Sequence, residues 1–530
     1  MKLGLQLSHD RPRSHVSNCN VFPGNSKFSC CRFPLLPSPT NSVFRTFLLT
    51  SANFARLGRK TALVASSSPS ASVDGAASGQ QQQTLGSISE DQSYPGPLEV
   101  PRPPTIPWED VILMQAFGWE SSKQGGNFHE SVQATIPDLV KAGITHCWLP
   151  PPSHSVSKEG YLPTQLYDLR SNYGDYSSLV ALNTALLKAN LRPVADIVIN
   201  HRCADEQNEA GIWNKFHDDI PHPGRRIDWD ATAIASTDPD FQGRGHADSG
   251  ADYGPSPDLD HENEEVRLGL RDWLIWLRDY IGFEGWRLDF VKGYSPEAAS
   301  WYIKNSLRSP GKDFCVGEYW VDAAWSGSYL QYTQDAMRQG LCDWMDEVGD
   351  GLSATFDFTT KAILQEAIRN VEYDRLRDKD NKPAGLIGWW PHRAVTFIDN
   401  HDTGSSQRHW PFPSGAEKIL QGYSYILTHP GIPCIFWEHF AGDDDNTNNF
   451  KKQIIELVAL RKRAGIKADS KIDILAAEKD LYIAEINSSL VLKLGPRYDG
   501  GDAMPKASDG WVLAASGKDW AAWEKKQQEK

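Results

Sequence analysis

Between residues 108 and 465 the chain alternates short β-branched or aromatic runs with longer amphipathic ones, and this alternation narrows the possible folds more than any other feature. The strand candidates are VILMQAF (111–117), THCWLP (145–150), PVADIVIN (193–200), GWRLDF (285–290), FCVGEYW (314–320), ATFDF (354–358), AVTFIDN (394–400) and CIFWEH (434–439). Helical patterns such as SLVALNTALLKAN, EEVRLGLRDWLIWLRDYIG and KKQIIELVALRKRAG lie between them. Eight strands, each followed by a helix, predict an α/β fold of the (β/α)8 TIM-barrel type. The spacing breaks once, at a Gly/Asp/His-rich insertion over 202–262, after the third strand. Residues 466–530 alternate like antiparallel strands and predict a small C-terminal antiparallel β-domain.

The segment before the barrel reads differently. Residues 1–73 hold nine Lys/Arg and a single acidic residue, Asp10, and lack the apolar core of a secretory signal. That composition predicts a transit peptide, with 74–107 as a Ser/Gly/Gln/Pro linker too polar to fold. The net charge of −14 argues against nucleic-acid binding, which demands a cationic surface. No apolar stretch is long enough to span a membrane as a helix. Eight scattered cysteines without a CxxC pair suit free thiols in a reducing compartment, although Cys203 could enter a regulatory disulfide.

On a barrel of this kind, acidic groups at the C-terminal strand ends read as catalytic. Asp289 (GWRLDF), Glu318 (VGEYW) and Asp402 (FIDNHD) occupy such places on the fourth, fifth and seventh strands. Arg287 and Asp289 share a face of one strand, so the guanidinium is expected to keep Asp289 ionised, as a nucleophile requires. Neighbouring negative charge, with Tyr319 and Trp320 excluding water, is expected to keep Glu318 protonated. Two carboxylates driven to opposite protonation states are what glycoside hydrolysis needs, about 5–5.5 Å apart in a retaining enzyme. Asp196, taken to open its strand, is read as structural. Asp248, Asp252, Asp258 and Asp260 crowd the insertion near Asn200, an arrangement that a divalent cation would relieve.

The segments DIVINH (196–201), GWRLDFVKGY (285–294), VGEYW (316–320) and FIDNHD (397–402) resemble, in order, the four signature regions of the α-amylase family. WLPPPSHSVSKEGYLP, NHRCAD, GWWPHRAVTF and YILTHPGIPCIF resemble its plant members, across roughly 108–528. The resemblance implies endo-hydrolysis of α-1,4-glucosidic bonds in starch or related α-glucans with retention, by a monomer. It implies Asp289 as nucleophile, Glu318 as general acid/base and Asp402 as stabiliser. His201 and His401 are then expected on sugar hydroxyls, Tyr161 under the sugar ring and Lys292 on the leaving-group side. Asn200, Asp248 and Asp258, with the main-chain carbonyls of Ala251 and Gly293, are expected to bind one structural Ca2+ that pins the insertion. Trp389 and Trp390 are expected at a starch-granule surface site. The starch link, added to the leader, predicts a plastid (chloroplast) location, with the cytoplasm as the alternative.

Overall fold

The computed structural model describes residues 96–526 apart from positions 405, 443 and 444, so the transit-peptide expectation lies outside the described residues. Eight parallel strands close into a barrel in sequence order. They are β1 (Leu113–Gln115), β2 (His146–Leu149), β3 (Arg192–Ile197), β4 (Gly285–Leu288), β5 (Cys315–Gly317), β6 (Ala354–Phe356), β7 (Ala394–Thr396) and β8 (Ile432–Phe436). The pairing of β1 with β8, Leu113 opposite Cys434, closes the ring. All eight strands are buried throughout, because helices cover the outer face and side chains fill the inside.

The strands are shorter than the apolar runs that announce them. Pairing stops at the rim, and the residues beyond it turn toward the barrel mouth. After β4 the chain leaves the sheet at Asp289, and Phe290 adopts a left-handed backbone (φ 41°) unusual for a residue with a side chain. Helix starts follow local chemistry. The Asp175 carboxylate accepts from Ser178 N at 2.9 Å, Asn263 from Glu265 N at 3.0 Å, and Asp357 from Thr360 N at 2.7 Å. Gly143 (φ 78°) ends the helix Phe128–Ala142 in the left-handed turn that glycine adopts without strain.

Two additions complete the chain. The insertion after β3 carries a three-stranded antiparallel sheet of Glu206–Gln207, Trp213–His217 and Asp228–Trp229. The C-terminal sheet has five antiparallel strands, β9 (Ile472–Glu478), β10 (Leu481–Ile486), β11 (Leu490–Leu494), β12 (Trp511–Gly517) and β13 (Trp520–Lys525), in the order β9-β10-β11-β13-β12. Residues 98–107, read as free linker, form no helix or strand but are held to the barrel. Leu98 N donates to Asp279 O at 2.8 Å, and Arg102 reaches Arg278 O at 3.0 Å and pairs with Glu284. Polarity could not reveal this, since the contacts are to barrel groups far away in sequence. Among the described residues no helix is long and apolar enough to cross a membrane, and Cys147, Cys203, Cys315, Cys342 and Cys434 are free thiols.

Candidate active site

Arg287 organises the barrel mouth. Its side chain is fully buried on β4, and its Nη1 donates to Asp196 Oδ1 at 2.7 Å and to Asp289 Oδ1 at 2.6 Å. Nη2 lies 2.8 Å from Glu318 Oε1. One guanidinium therefore gathers carboxylates from the ends of three successive strands. Burial disfavours its charge, but the three carboxylates outweigh that and hold Arg287 firmly protonated. A buried cation with three anionic partners is costly to desolvate, so the cluster makes sense as chemistry more than as stability.

Asp196 departs from its expected position. It is the fifth of six residues in β3, at the rim end, and accepts from Trp148 Nε1 at 3.0 Å and Tyr161 Oη at 2.8 Å besides Arg287. Sequence alternation placed it too early because the run DIVIN continues past the paired part of the strand.

Burial drives the Glu318 carboxyl well above the ordinary range, Arg287 opposes this, and the negative charges of Asp289, Asp402 and Asp196 push it further up. Burial was expected to be the lesser cause and is the larger. The strained Phe290 backbone turns its N–H toward Glu318 Oε2 at 3.3 Å, which fixes the carboxyl plane. Burial likewise pushes Asp402 up to about 7 and Asp196 up to about 6, with Arg287 again opposing.

His401 precedes Asp402 in the loop after β7. Burial first, then the Arg287 and His409 charges, lower its pKa far enough to keep the ring neutral. Gln115 Nε2 lies 3.0 Å from His401 Nδ1, while Asp402 Oδ2 lies 3.2 Å from Nε2. The amide nitrogen can only donate, so Nδ1 accepts and the ring proton sits on Nε2, facing Asp402. Sequence reasoning missed Gln115. Its signal was one polar residue inside the otherwise apolar run VILMQAF.

Asp289, Glu318, His401, Asp402 and Tyr161 line one cavity together with Trp119, Glu159 and Tyr253. The rings of Tyr161 and His401 are nearly parallel (7°, centroids 5.2 Å apart), as are those of Tyr161 and Trp119 (4°, 6.2 Å). His201 is placed differently from its expectation. It is 1% exposed, lies face to face with Tyr253 at 3.7 Å, and its Nε2 bonds the Tyr161 carbonyl at 2.9 Å. Tyr253, which no pattern announced, stands on the cavity wall in front of it. Lys292 Nζ donates to the Trp320 carbonyl at 3.0 Å.

The five predicted calcium residues come together beside this cavity. Asn200 Nδ2 donates to Asp258 Oδ1 at 2.9 Å, while Asn200 Oδ1 is buried without a hydrogen-bond partner. Gly293 is packed so closely that a Cβ there would lie 1.9 Å from that oxygen. Ala251 N donates to Lys292 O at 2.8 Å, and Asp248 Oδ1 accepts from Gly250 N at 3.2 Å. Burial and the charges of Asp248, Asp238 and Asp252 push Asp258 up to about 8. An orphaned amide oxygen facing crowded carboxylates is a donor set that fits a hard cation. Asp260 is engaged elsewhere, 2.9 Å from His246 Nδ1. Among the described residues no group of three or more His, Cys, Asp or Glu forms a metal cluster; this set has two carboxylates, one amide and two main-chain positions.

Trp389 and Trp390 differ from each other. Trp389 is 38% exposed with the Arg338 guanidinium 3.9 Å from its ring, whereas Trp390 packs partly against the core and bonds His392 Nε2 at 3.0 Å.

A closed parallel barrel with paired carboxylates on one guanidinium at its C-terminal rim defines the class of barrel glycoside hydrolases. Residues 463–524 match the family model described as alpha-amylase C-terminal beta-sheet domain. Probable alpha-amylase 2 of Arabidopsis thaliana is 41% identical over 414 residues, covering 78% of this chain and 94% of that protein. Alpha-amylase 3, chloroplastic, of the same plant is 41% identical over 415 residues, 78% of this chain but 44% of that protein's length. The alpha-amylase type B isozyme of Hordeum vulgare is 52% identical over 163 residues, 31% of this chain and 99% of that sequence. The solved alpha-amylase of Geobacillus thermoleovorans, complexed with acarbose, has a TM-score of 0.55 at 17% identity over 80% of this chain and 99% of that one, and so shares the fold. The chain belongs to the plant α-amylase family.

Proposed function

We propose that this protein is an α-amylase that hydrolyses internal α-1,4-glucosidic bonds of starch and related α-glucans with retention of configuration. The observation that carries the reading is the single Arg287 fork joining Asp289 and Glu318 at 2.6 and 2.8 Å. In this reading Asp289 attacks the anomeric carbon while Glu318, kept protonated by burial, gives its proton to the leaving oxygen. Glu318 then takes a proton from water, which displaces Asp289 and releases the sugar. Asp402 and the Nε2–H of His401 hold the sugar hydroxyls at the cleavage point, Tyr161 packs on the sugar ring, and Lys292 serves the leaving-group side. His201 positions Tyr253 and the Tyr161 main chain.

Asn200, Asp248 and Asp258 with the carbonyls of Ala251 and Gly293 would hold one Ca2+. When bound, the ion supplies charge compensation and ties the insertion to the barrel; the unpartnered Asn200 Oδ1 supports this. Trp389, adjacent in sequence to the half-buried Trp390, offers a granule-facing surface, which loss of starch-granule binding in Trp389→Ala tests. The basic leader, and similarity to a relative named chloroplastic, support plastid import. Fluorescence of a leader fusion outside plastids would remove that part.

The enzymatic reading is tested by wild type and Glu318→Gln on soluble starch, following reducing ends and the anomer first released. Wild type should release the α-anomer and the variant should lose at least roughly a thousandfold in rate, in line with losing the acid/base group. A first product of β configuration, or an active Glu318→Gln enzyme, overturns it.

A further inference from the structure

The loop between β5 and the helix Asp335–Val348 carries two tyrosines that the cavity does not use. Tyr329 is 43% exposed and Tyr332 is 44% exposed, and their ring centroids lie 6.4 Å apart with the planes inclined at 40°. Exposed aromatic rings are usually mobile, but these are fixed from behind. The Arg375 guanidinium, itself 2% exposed, lies 4.6 Å from the Tyr329 centroid and 4.0 Å from that of Tyr332. Glu372 Oε2 accepts from Arg375 Nε at 2.6 Å, and the Leu330 carbonyl accepts from Nη1 at 2.8 Å. Tyr332 Oη donates to Asp374 at 3.1 Å.

The loop backbone is also pinned. The 2%-exposed Gln334 amide accepts from Ala324 N at 2.8 Å and donates to the carbonyls of Ala324 and Gln331 at 3.0 and 2.8 Å. A short hairpin pairs Tyr329 with Ser326 and buries Leu330 completely. The ordering cost of the two rings is therefore met within the folded chain, which is what a preorganised binding surface requires.

We infer that Tyr329 and Tyr332 form a second α-glucan-binding platform, distinct from the catalytic cavity and from Trp389; this rests on the proposed activity. The C–H face of a pyranose packs on an aromatic ring, and one face of each tyrosine is already occupied by Arg375. An α-1,4-linked chain curves, so successive sugars present inclined faces, as two rings set at 40° do; a β-1,4 chain is flat. Nucleic acid and other polyanions are disfavoured, because the one guanidinium lies beneath the rings and Glu372 and Asp374 flank it.

The test is electrophoretic retardation in gels containing amylopectin, with a mixed-linkage β-glucan gel as control, beside turnover of maltoheptaose. Tyr329→Ala/Tyr332→Ala should weaken amylopectin affinity by at least roughly fivefold, the value expected for losing a ring contact. Its maltoheptaose turnover should stay at the wild-type level. Tyr329→Phe/Tyr332→Phe should bind amylopectin as wild type does, and no form should be slowed by β-glucan. Unchanged retardation in the alanine variant overturns the platform, as does equal loss of retardation and maltoheptaose turnover. A wild type inert on maltoheptaose and starch alike would overturn the activity instead, while its retardation would still report on the platform.

Discussion

Gln115 donates its side-chain amide to Nδ1 of His401 across 3.0 Å, so a residue of the first barrel strand decides which nitrogen of that histidine carries the proton. Gln115→Leu should release the tautomer and lower kcat about tenfold to a hundredfold with little change in KM, the range for a misplaced positioning group. Nitrogen NMR of the labelled imidazole should then show Nδ1–H forms. Unchanged kcat and an unchanged tautomer would refute the role.

Asp196 both occupies part of Arg287 and repels negative charge on Glu318. The protonated Glu318 required of an acid is lost as pH rises through its raised pKa. Asp196→Asn removes the repulsion and frees Arg287 for Glu318, so that pKa falls. The alkaline limb of the kcat/KM profile should move to lower pH, with at least about a tenfold loss at the optimum. A limb that stays in place or moves up would contradict the assignment.

Asp402 is raised from 3.8 to about 7 in the folded chain, chiefly by burial. Between those values the folded state binds the proton more tightly, so the stability from this group is present at low pH and lost as pH rises through about 7. Asp402→Asn carries no such titration. Its Tm relative to wild type should climb from pH 5 to pH 8, by a free energy on the order of a few kcal/mol at most. A difference independent of pH would show that Asp402 titrates normally.

Calcium removal is expected to lower both activity and Tm, with both restored by added Ca2+. At a thousandfold excess over Kd a single site stabilises by about 4 kcal/mol. In Asp258→Asn the Tm should no longer respond to Ca2+ or chelator. A wild-type melting curve indifferent to chelation would rule out the site.

Gly317 ends β5 immediately before Glu318, and a Cβ there would lie 2.3 Å from the Trp344 ring. Gly317→Ala should cost about 1–3 kcal/mol through overpacking. Because Glu318 is the next residue, kcat should fall at least about tenfold in protein that remains folded. Full activity with normal Tm would show that Trp344 yields freely.

All eight strand positions, the insertion after β3 and the C-terminal sheet were legible in the sequence, because burial on a barrel imposes a repeating pattern on neighbouring residues. The acidic groups Asp289, Glu318 and Asp402 were legible for the same reason: each follows an apolar run that ends at the rim. Three features were not. Gln115 meets His401, Tyr253 covers His201, and Asp196 joins Asp289 and Glu318 on Arg287, through contacts between groups far apart in the chain. The same holds for residues 98–107, whose polarity hides the barrel groups that hold them.

By itself the sequence determined where along the chain the eight strands fall and that Asp289, Glu318 and Asp402 reach the barrel mouth, since those follow from local periodicity and polarity. Only the tertiary structure decided how the charges are shared there. Protonation depends on burial and on distances of a few ångströms between strands, and no spacing along the chain encodes these.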